Sequence, residues 1–502
     1  MKIKFFNKYL LMGALSSVLL VSCSESELED PNKGVINTES YYQNYNQAYA
    51  GLAATYDILK KNSGGFDNMI TMMNAGSDDQ YAGGGSASDG AGIQGFSNFT
   101  LNPTIMPGSF WSDHYKGIYR ANILISKVPG VNMNDSYKVR FTAEAKALRA
   151  LYYFNLVRMF KNVPLITSVL NPSEIYNVPQ AAPSAVYAQI ESDLIQAIPD
   201  LPMTVTAAES GRLSRGAAKA LLGKVYLYEG KNALAAAELA DVNGTPGTTS
   251  SYGYKLLTNF SDLWVVSNKF NTESIIEVVH TNLANSDWGF WGSGADEGNS
   301  VCVMVGPRSY SYVSAPALQL PSGWCFNVFT QNFYDFMVGD PRFSSTIYDA
   351  KALKLAGNCD YVGGYLDTGY FLKKYLPTNA DISTGGGASV LNYQQNSYVI
   401  RLADSYLMEA EALGGTGARA QALLDAVRTR VGLASVPVSL AAIKAERRKE
   451  LAGEGQRFFD LVRWGDAPAV LGSRGFVAGK NEIFPIPFQE MANTILQQNP
   501  NY

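Results

Sequence analysis

The chain has 502 residues and a formal net charge of −4, with 40 Lys and Arg against 44 Asp and Glu. A mildly acidic protein has no general attraction for nucleic acid, whose binding proteins are typically basic. With only 2 His, the composition argues against zinc chemistry and a Ser-His-Asp triad, since histidine is the commonest metal ligand and proton shuttle. We therefore expect no metal and no cofactor, and carboxylate catalysis alone stays open.

The N-terminus has the pattern of a secretory signal. A basic start is followed by residues 9–22, which are apolar or small. This run is too short for a transmembrane helix, which needs about 20 apolar residues. It ends in Leu20-Val-Ser-Cys23, which resembles a lipobox and implies that Cys23 becomes the lipidated first residue. Removing residues 1–22 takes away three lysines and no acid, so the mature charge is −4 − 3 = −7.

A Ser- and Glu-rich segment over residues 23–37 predicts a flexible, acidic tether. Its acids, from Glu25 to Asp30, resemble the tag that exports some lipoproteins to the outer face of the outer membrane. The simpler interpretation is a solvated linker, and both can hold together.

The mature chain is predicted to form one domain over residues 38–502. Apolar and aromatic residues recur at helical spacing over residues 38–61, 111–128 and 138–161. Between the first two, residues 62–110 are rich in Gly, Ser and Pro, which break regular structure, and they predict a long ordered loop. Long loops in compact domains are usually functional or disordered.

Further helices are predicted over residues 184–198, 213–229 and 231–241, with a tight Glu229-Gly-Lys231 joint that indicates a helical hairpin. Residues 245–400 form a predicted irregular, loop-rich insertion with short β-like runs at 275–280 and 398–402. Helices resume over 403–413, 416–430 and 439–464. The predicted fold is mainly α, a tetratricopeptide-like helical repeat scaffold (about 38–61, 111–241 and 403–465) with large loop-rich insertions and little β.

Three cysteines follow Cys23, namely Cys302, Cys325 and Cys359. An odd number outside the cytoplasm cannot form a complete disulfide framework. We expect buried thiols, with a Cys302–Cys325 disulfide as the alternative.

Several segments together resemble one family, the SusD/RagB outer-membrane lipoproteins of glycan-feeding Gram-negative bacteria. The residues that carry the resemblance run from end to end of the chain: the lipobox, Trp111-Ser-Asp-His-Tyr115, residues 144–166, Asp340-Pro-Arg342, residues 401–410, ERRKELAGEGQRFFDLVRWG at 446–465, and the closing residues 483–502.

The resemblance implies a lipid-anchored protein on the extracellular face of the outer membrane. It also implies a partner, a TonB-dependent (SusC-like) transporter, over which the lipoprotein sits as a lid. Family members bind oligosaccharides, a few bind peptides, and they are not enzymes. The charged residues of segment 446–465 fit a structural ion-pair network better than a site.

A glycan site needs an aromatic plate for the flat C–H face of a sugar and polar groups for its hydroxyls. The best candidates are Trp288, Phe290 and Trp291, which lie among Gly and polar residues without helical or strand period. The second candidate set is Asp79, Gln80 and Tyr81, beside the glycine run. Weaker candidates are Phe96, Arg308 and Trp324, and the apolar neighbours of Trp324 make a core position its stronger alternative.

Three functions are therefore weighed. The first is a surface glycan-binding lipoprotein that delivers nutrient to its transporter. The second is a peptide-binding lid on the same scaffold, which would need an exposed strand edge with deep apolar pockets. The third, much less favoured, is a surface glycoside hydrolase, which requires two carboxylates about 5 to 9.5 Å apart in a cleft.

Overall fold

The computed structural model describes residues 41–283, 286–288 and 297–502. The predicted signal, the predicted tether with its proposed lipidation residue Cys23, and the candidate rings Phe290 and Trp291 lie outside these residues. In chain order the helices are α1 (Tyr45–Tyr56), α2 (Met69–Ala75), α3 (Ala91–Asn98), α4 (Ser109–Lys127), α5 (Asp135–Phe160), α6 (Pro183–Ala197), α7 (Arg215–Tyr228), α8 (Asn232–Asn243), α9 (Val301–Met304), α10 (Gln331–Met337), α11 (Phe343–Thr346), α12 (Ala350–Leu355), α13 (Leu402–Ala412), α14 (Gly417–Arg430), α15 (Leu440–Glu450), α16 (Arg457–Arg463), α17 (Ala467–Leu471) and α18 (Phe488–Met491).

The strands are short and pair only in twos within the described residues. They are β1 (Val163–Pro164), β2 (Gln180–Ala181), β3 (Ser274–Val278), β4 (Arg308–Tyr312), β5 (Ile347–Asp349), β6 (Cys359–Val362), β7 (Tyr370–Leu372) and β8 (Ser397–Arg401). All four pairs, β1–β2, β3–β8, β4–β6 and β5–β7, are antiparallel. In the β3–β8 pair Ile276 lies opposite Ile400, and in the β4–β6 pair Arg308 lies opposite Val362. The two runs predicted as β-like are therefore paired with each other.

Local signals explain where the scaffold helices begin and end. The side chain of Asn134 accepts a hydrogen bond from Ser136 N–H (3.0 Å) at the start of α5. That helix ends at Phe160, and the next residue, Lys161, has a positive φ of 65° that cannot continue the helix. The Ser214 hydroxyl accepts from Ala217 N–H (3.2 Å) at the start of α7. These caps replace the hydrogen bonds that the first turn of a helix cannot make internally.

Sequential helices pack in pairs, α4 on α5, α5 on α6 and α7 on α8. After the insertion, α13 packs on α8 and α14 packs on α13. The helices that follow the insertion therefore continue the helical scaffold that precedes it. One apolar core runs through these helices and includes Leu52, Leu148 and Leu221. A second core inside the insertion includes Phe333 and Leu372. The predicted helical scaffold with large loop-rich insertions is confirmed.

Two predictions of element boundaries are wrong. The helix predicted over 439–464 is divided into α15 and α16, because Gly453 and Gly455 have left-handed φ values of 76° and 77°. A Cβ at Gly453 would lie 2.3 Å from Leu372 Cδ1, so the break lets a strand of the insertion approach the scaffold. The region predicted as a continuous loop over 62–110 contains α2 and α3.

A buried ion-pair network ties the insertion to the last helices. The carboxylate of Glu450 accepts from Arg342 (2.8 Å), Arg401 (2.6 Å) and Arg430. Burial raises the pKa of Glu450, but the three guanidinium groups outweigh it and hold the pKa well below its usual value. The structural interpretation of the charged residues in 446–465 is confirmed.

All three cysteines of the described chain, Cys302, Cys325 and Cys359, are buried and free. Burial raises the pKa of the Cys325 thiol to about 12. The expectation of buried thiols is confirmed, and the alternative Cys302–Cys325 disulfide is wrong.

Candidate functional site

Two tryptophans of the insertion form a stacked pair at the surface. The ring centres of Trp288 and Trp324 are 5.9 Å apart and their planes differ by 28°. Trp288 is 56% exposed, whereas Trp324 is half-buried and packs against the main core. Because Trp324 rests on the core, it gives Trp288 a firm backing. We call this pair the tryptophan platform.

Buried amide contacts hold the segment that carries Trp288. The side chain of Asn392, which is fully buried, donates to Ser286 O (2.9 Å) and accepts from Ser286 N–H (3.3 Å). Ala388 N–H donates to the same carbonyl (3.0 Å). Trp288 N–H donates to the Asp287 carboxylate (2.8 Å). The exposed ring is thus only two residues from a fixed backbone position.

The Trp324 loop is fixed by the close approach of two glycines. A Cβ at Gly323 would lie 2.4 Å from the Cα of Gly306, so only glycine allows this contact. The neighbouring backbone groups are hydrogen-bonded, with Trp324 N–H donating to Val303 O (2.9 Å) and Cys325 N–H to Gly306 O (2.7 Å). The sequence therefore places Trp324 by backbone packing against the end of α9.

Polar groups stand beside the platform. Arg308 Nη1 lies 3.5 Å from the carbonyl oxygen of Trp324 and 3.9 Å from the carboxylate of Asp89. Both side chains are more than a third exposed, at 38% and 39%. Asp89 is held by Gly85 N–H (2.6 Å), within the glycine run. The two loop-rich regions of the sequence therefore meet at this site.

Asp79, Gln80 and Phe96 were predicted as ligand contacts, and the structure contradicts this. Asp79 is 2% exposed and paired with Arg448 (2.7 Å). Burial and the neighbouring carboxylate of Asp78 raise its pKa to about 6. Gln80 is fully buried and Phe96 is 2% exposed, in contact with other core rings. These side chains hold the loop to the scaffold and cannot reach a ligand from solvent.

Tyr81 is half-buried, and the Arg474 guanidinium lies 5.2 Å from its ring centre. It stays a candidate. Asp89 was missed by the sequence analysis, although the glycine run around it was noted. Nothing local signals the pairing of Trp288 with Trp324, since the partners are far apart in the chain and belong to different loops.

Stacked indole rings next to an exposed guanidinium and carboxylate offer an apolar face and directional hydrogen bonds. That combination suits ligands with both a flat apolar face and many hydroxyls. Among the residues that the structure describes, no group of three or more His, Cys, Asp or Glu is placed to hold a metal ion. Nor does the described part of the chain contain a helix that is long and apolar enough to cross a membrane.

A scaffold of helical hairpins with an aromatic surface formed by loops is typical of a class of binding protein. Comparison with known proteins shows which family this chain belongs to. The profile of a family described as "SusD family" matches residues 339–475. A second profile, described as "Starch-binding associating with outer membrane", matches residues 79–227. A SusD-like protein of Formosa agariphila is 28% identical, over 95% of this chain and 94% of the relative.

Solved structures agree over nearly the whole length. A "laminarin binding SusD-like protein" is 65% identical, with a TM-score of 0.91 over 92% of this chain and 100% of that one. Surface glycan-binding protein A from Bacteroides thetaiotaomicron, in complex with laminarihexaose, is 25% identical, with a TM-score of 0.80 over 91% of this chain and 100% of that one. The chain belongs to the SusD family.

Proposed function

We propose that the chain is a cell-surface lipoprotein that binds glycan at the tryptophan platform and passes it to a TonB-dependent transporter. The observation that carries the proposal is the exposed ring of Trp288 backed by Trp324. An apolar plate of this kind, with Arg308 and Asp89 beside it, matches a sugar's flat face and its ring of hydroxyls. Phe290 and Trp291, which lie outside the described residues, stay proposed contacts on sequence grounds.

Laminarin is the first ligand to test. The 65% identical relative is named for laminarin binding, and a more distant family member was solved with laminarihexaose. A sugar face of about 100 Å² covered at roughly 25 cal/mol per Å² contributes some 2 to 3 kcal/mol. After association costs, a site of one to three sugars should bind in the micromolar to millimolar range. Weak binding suits a protein that hands its ligand on.

The membrane and partner parts of the proposal rest on sequence. Cys23 at the lipobox would carry the lipid, and the acidic tether would place the domain on the extracellular face. The TonB-dependent transporter is proposed as the partner because the family resemblance implies one. Replacing Cys23 with Ser is expected to release the protein from the membrane fraction, and retention of this variant in washed membranes would contradict lipid anchoring through Cys23.

The ligand is tested with the soluble chain from residue 24 onward. Titration calorimetry against laminarin, starch and an apolar peptide mixture is expected to give heat of binding with laminarin. Product analysis after long incubation is expected to show intact glycan. Failure to bind any glycan would refute the proposal, as would binding of peptide alone. Release of shorter sugars would instead establish a hydrolase.

A further inference from the structure

A groove runs along strand β3, outside the tryptophan platform. It consists of two cavities, one of about 350 Å³ and one of about 240 Å³. Both are lined by Gly211 and Glu277, so the two cavities adjoin each other at these residues. Ligand pockets in proteins typically measure about 300 to 1,000 Å³, and the combined space falls in that range. We call this space the β3 groove.

Phe270 lines the larger cavity in an unusual conformation. Its φ is 52°, in the left-handed region that bulky residues rarely adopt. Its N–H donates to both carboxylate oxygens of Glu277 (3.0 and 3.2 Å), and Asn396 donates to the same carboxylate (2.7 Å). Glu277 is 5% exposed, so a buried anion holds the backbone of Phe270. Residues kept in sparsely populated conformations cluster at ligand sites.

The ring of Phe270 is kept at the surface. The side chain is 36% exposed although the protein buries most of its other phenylalanines. It stands over the Gly211 turn, where an added Cβ would lie 3.5 Å from its Cε1 atom and 2.7 Å from Val279. Val279 is itself 49% exposed. The groove therefore presents an aromatic ring and an aliphatic side chain to solvent.

Polar groups line the same space. The polar residues Thr204, Ser210, Arg212 and Thr272 line the larger cavity. The Thr272 hydroxyl also donates to Lys255 O (2.9 Å). Arg212 is fixed by bidentate contact with the buried carboxylate of Glu144 (2.6 and 3.0 Å). The larger cavity therefore combines an exposed ring with hydroxyl-bearing residues in its wall, whereas Arg212, which is 10% exposed and paired with Glu144 and Glu209, helps to hold that wall.

The smaller cavity ends where the Trp288 loop begins. It is lined by Thr281 and Glu297, and Thr281 N–H donates to Glu297 O (3.2 Å) at the base of that loop. Thr281 and Glu297 precede and follow the segment that carries Trp288, so the smaller cavity lies beside the two ends of that segment.

We propose that the β3 groove is a second carbohydrate subsite, with Phe270 as its aromatic plate, that takes a further segment of a long glycan. The proposal rests on the proposed function for the class of ligand. Two weak sites joined by one polymer act at a high effective concentration, which raises the affinity for long chains well above that of either site. Short chains engage the platform alone and gain nothing.

The test compares Phe270→Ala with wild type on two probes, laminarin and laminaritriose. The affinity for laminarin is expected to fall by at least about tenfold, because the avidity from the second subsite is lost. The affinity for laminaritriose is expected to stay within about twofold, since it uses the platform. Phe488→Ala, which removes another exposed phenylalanine outside the groove, is the matched control and should change neither affinity.

If Phe270→Ala unfolds, Phe270→Leu keeps the apolar volume without a flat ring and is measured in its place. Laminarin affinity that stays within about twofold of wild type in the folded variant would overturn the second subsite. In that case a Trp288→Ala variant that loses laminarin binding would leave the proposed function standing. If wild type binds neither probe, the proposed function fails first and this inference fails with it.

Discussion

Replacing Trp288 with alanine should remove much of the glycan affinity while the fold stays intact. The ring is 56% exposed, and an aromatic side chain of this size offers about 150 to 250 Å² of surface. A sugar that covers about 100 Å² of it gains about 2.5 kcal/mol at 25 cal/mol per Å². Every 1.4 kcal/mol is a tenfold change, so the dissociation constant should rise by about 60-fold, and by at least about tenfold if the ring is only partly covered.

The stability cost should be small. Trp288 is more than half exposed, and the stacking on Trp324 that it loses contributes about 0.5 to 1.5 kcal/mol. Titration calorimetry with laminarin gives the affinity, and thermal unfolding gives the stability of the same sample. Tyr119→Ala, an exposed ring on scaffold helix α4, is the matched control. Unchanged affinity in a folded Trp288→Ala protein would refute the platform, and a collapse of the melting temperature would show that the ring supports the fold.

Three further outcomes test how the fold is held and how it positions the site. Glu450→Gln should lower the free energy of unfolding by about 3 kcal/mol in a urea titration, because Arg342, Arg401 and Arg430 all lose one buried counter-charge at once, although each keeps another carboxylate partner. Glu209→Gln, which removes one charge of a partly exposed ion pair, should lower the free energy of unfolding by less than about 1 kcal/mol. Equal losses in the Glu450→Gln and Glu209→Gln variants would contradict the argument that burial makes the Glu450 network stronger. The pKa of Asp404 is lowered to about 2, because Lys224 and Arg447 outweigh the effect of its burial. The stability that the ionised carboxylate contributes to the fold is therefore present above about pH 4 and is lost as the pH falls toward 2. Asp404→Asn should therefore reduce the loss of unfolding free energy between about pH 4 and pH 2. An unchanged loss would show that other groups cause the acid sensitivity. Gly323→Ala should weaken laminarin binding, because its Cβ would lie 2.4 Å from the Gly306 backbone and would displace the Trp324 loop. Gly108→Ala, whose Cβ has no heavy atom within 4 Å, is the control and should leave the affinity unchanged. Equal affinities of the two variants would show that the Trp324 loop accommodates the added methyl group.

The helical scaffold could be predicted because its signals are local. The α5 helix lies within three residues of its predicted bounds, since apolar and aromatic residues recur along it at helical spacing and the helix ends a few residues before Pro164, which cannot continue a helix. The division between α15 and α16 could not be predicted, because it depends on Leu372, a residue of the insertion that packs against Gly453. The helical spacing of apolar residues carries no information about a contact with a residue that is distant in the sequence.

The candidate site was predicted only in part, because it too depends on contacts between distant segments of the chain. Trp288 and Trp324 were each identified as large rings in irregular segments, but their stacking is a contact between two loops. Asp79 has the chemistry of a ligand contact, yet Arg448 on α15 neutralises it inside the protein. Residue type therefore selects candidate ligand contacts from the sequence. Which of these candidates a ligand can reach depends on burial, and burial depends on the whole fold.

The most direct test of the central claim is a crystal structure of the soluble chain with laminarihexaose. The account predicts a sugar ring lying flat on the exposed face of Trp288, with hydroxyls in hydrogen-bond reach of Arg308 or Asp89. Sugar bound elsewhere, with Trp288 and Trp324 uncovered, would contradict the claim that these two rings form the binding surface.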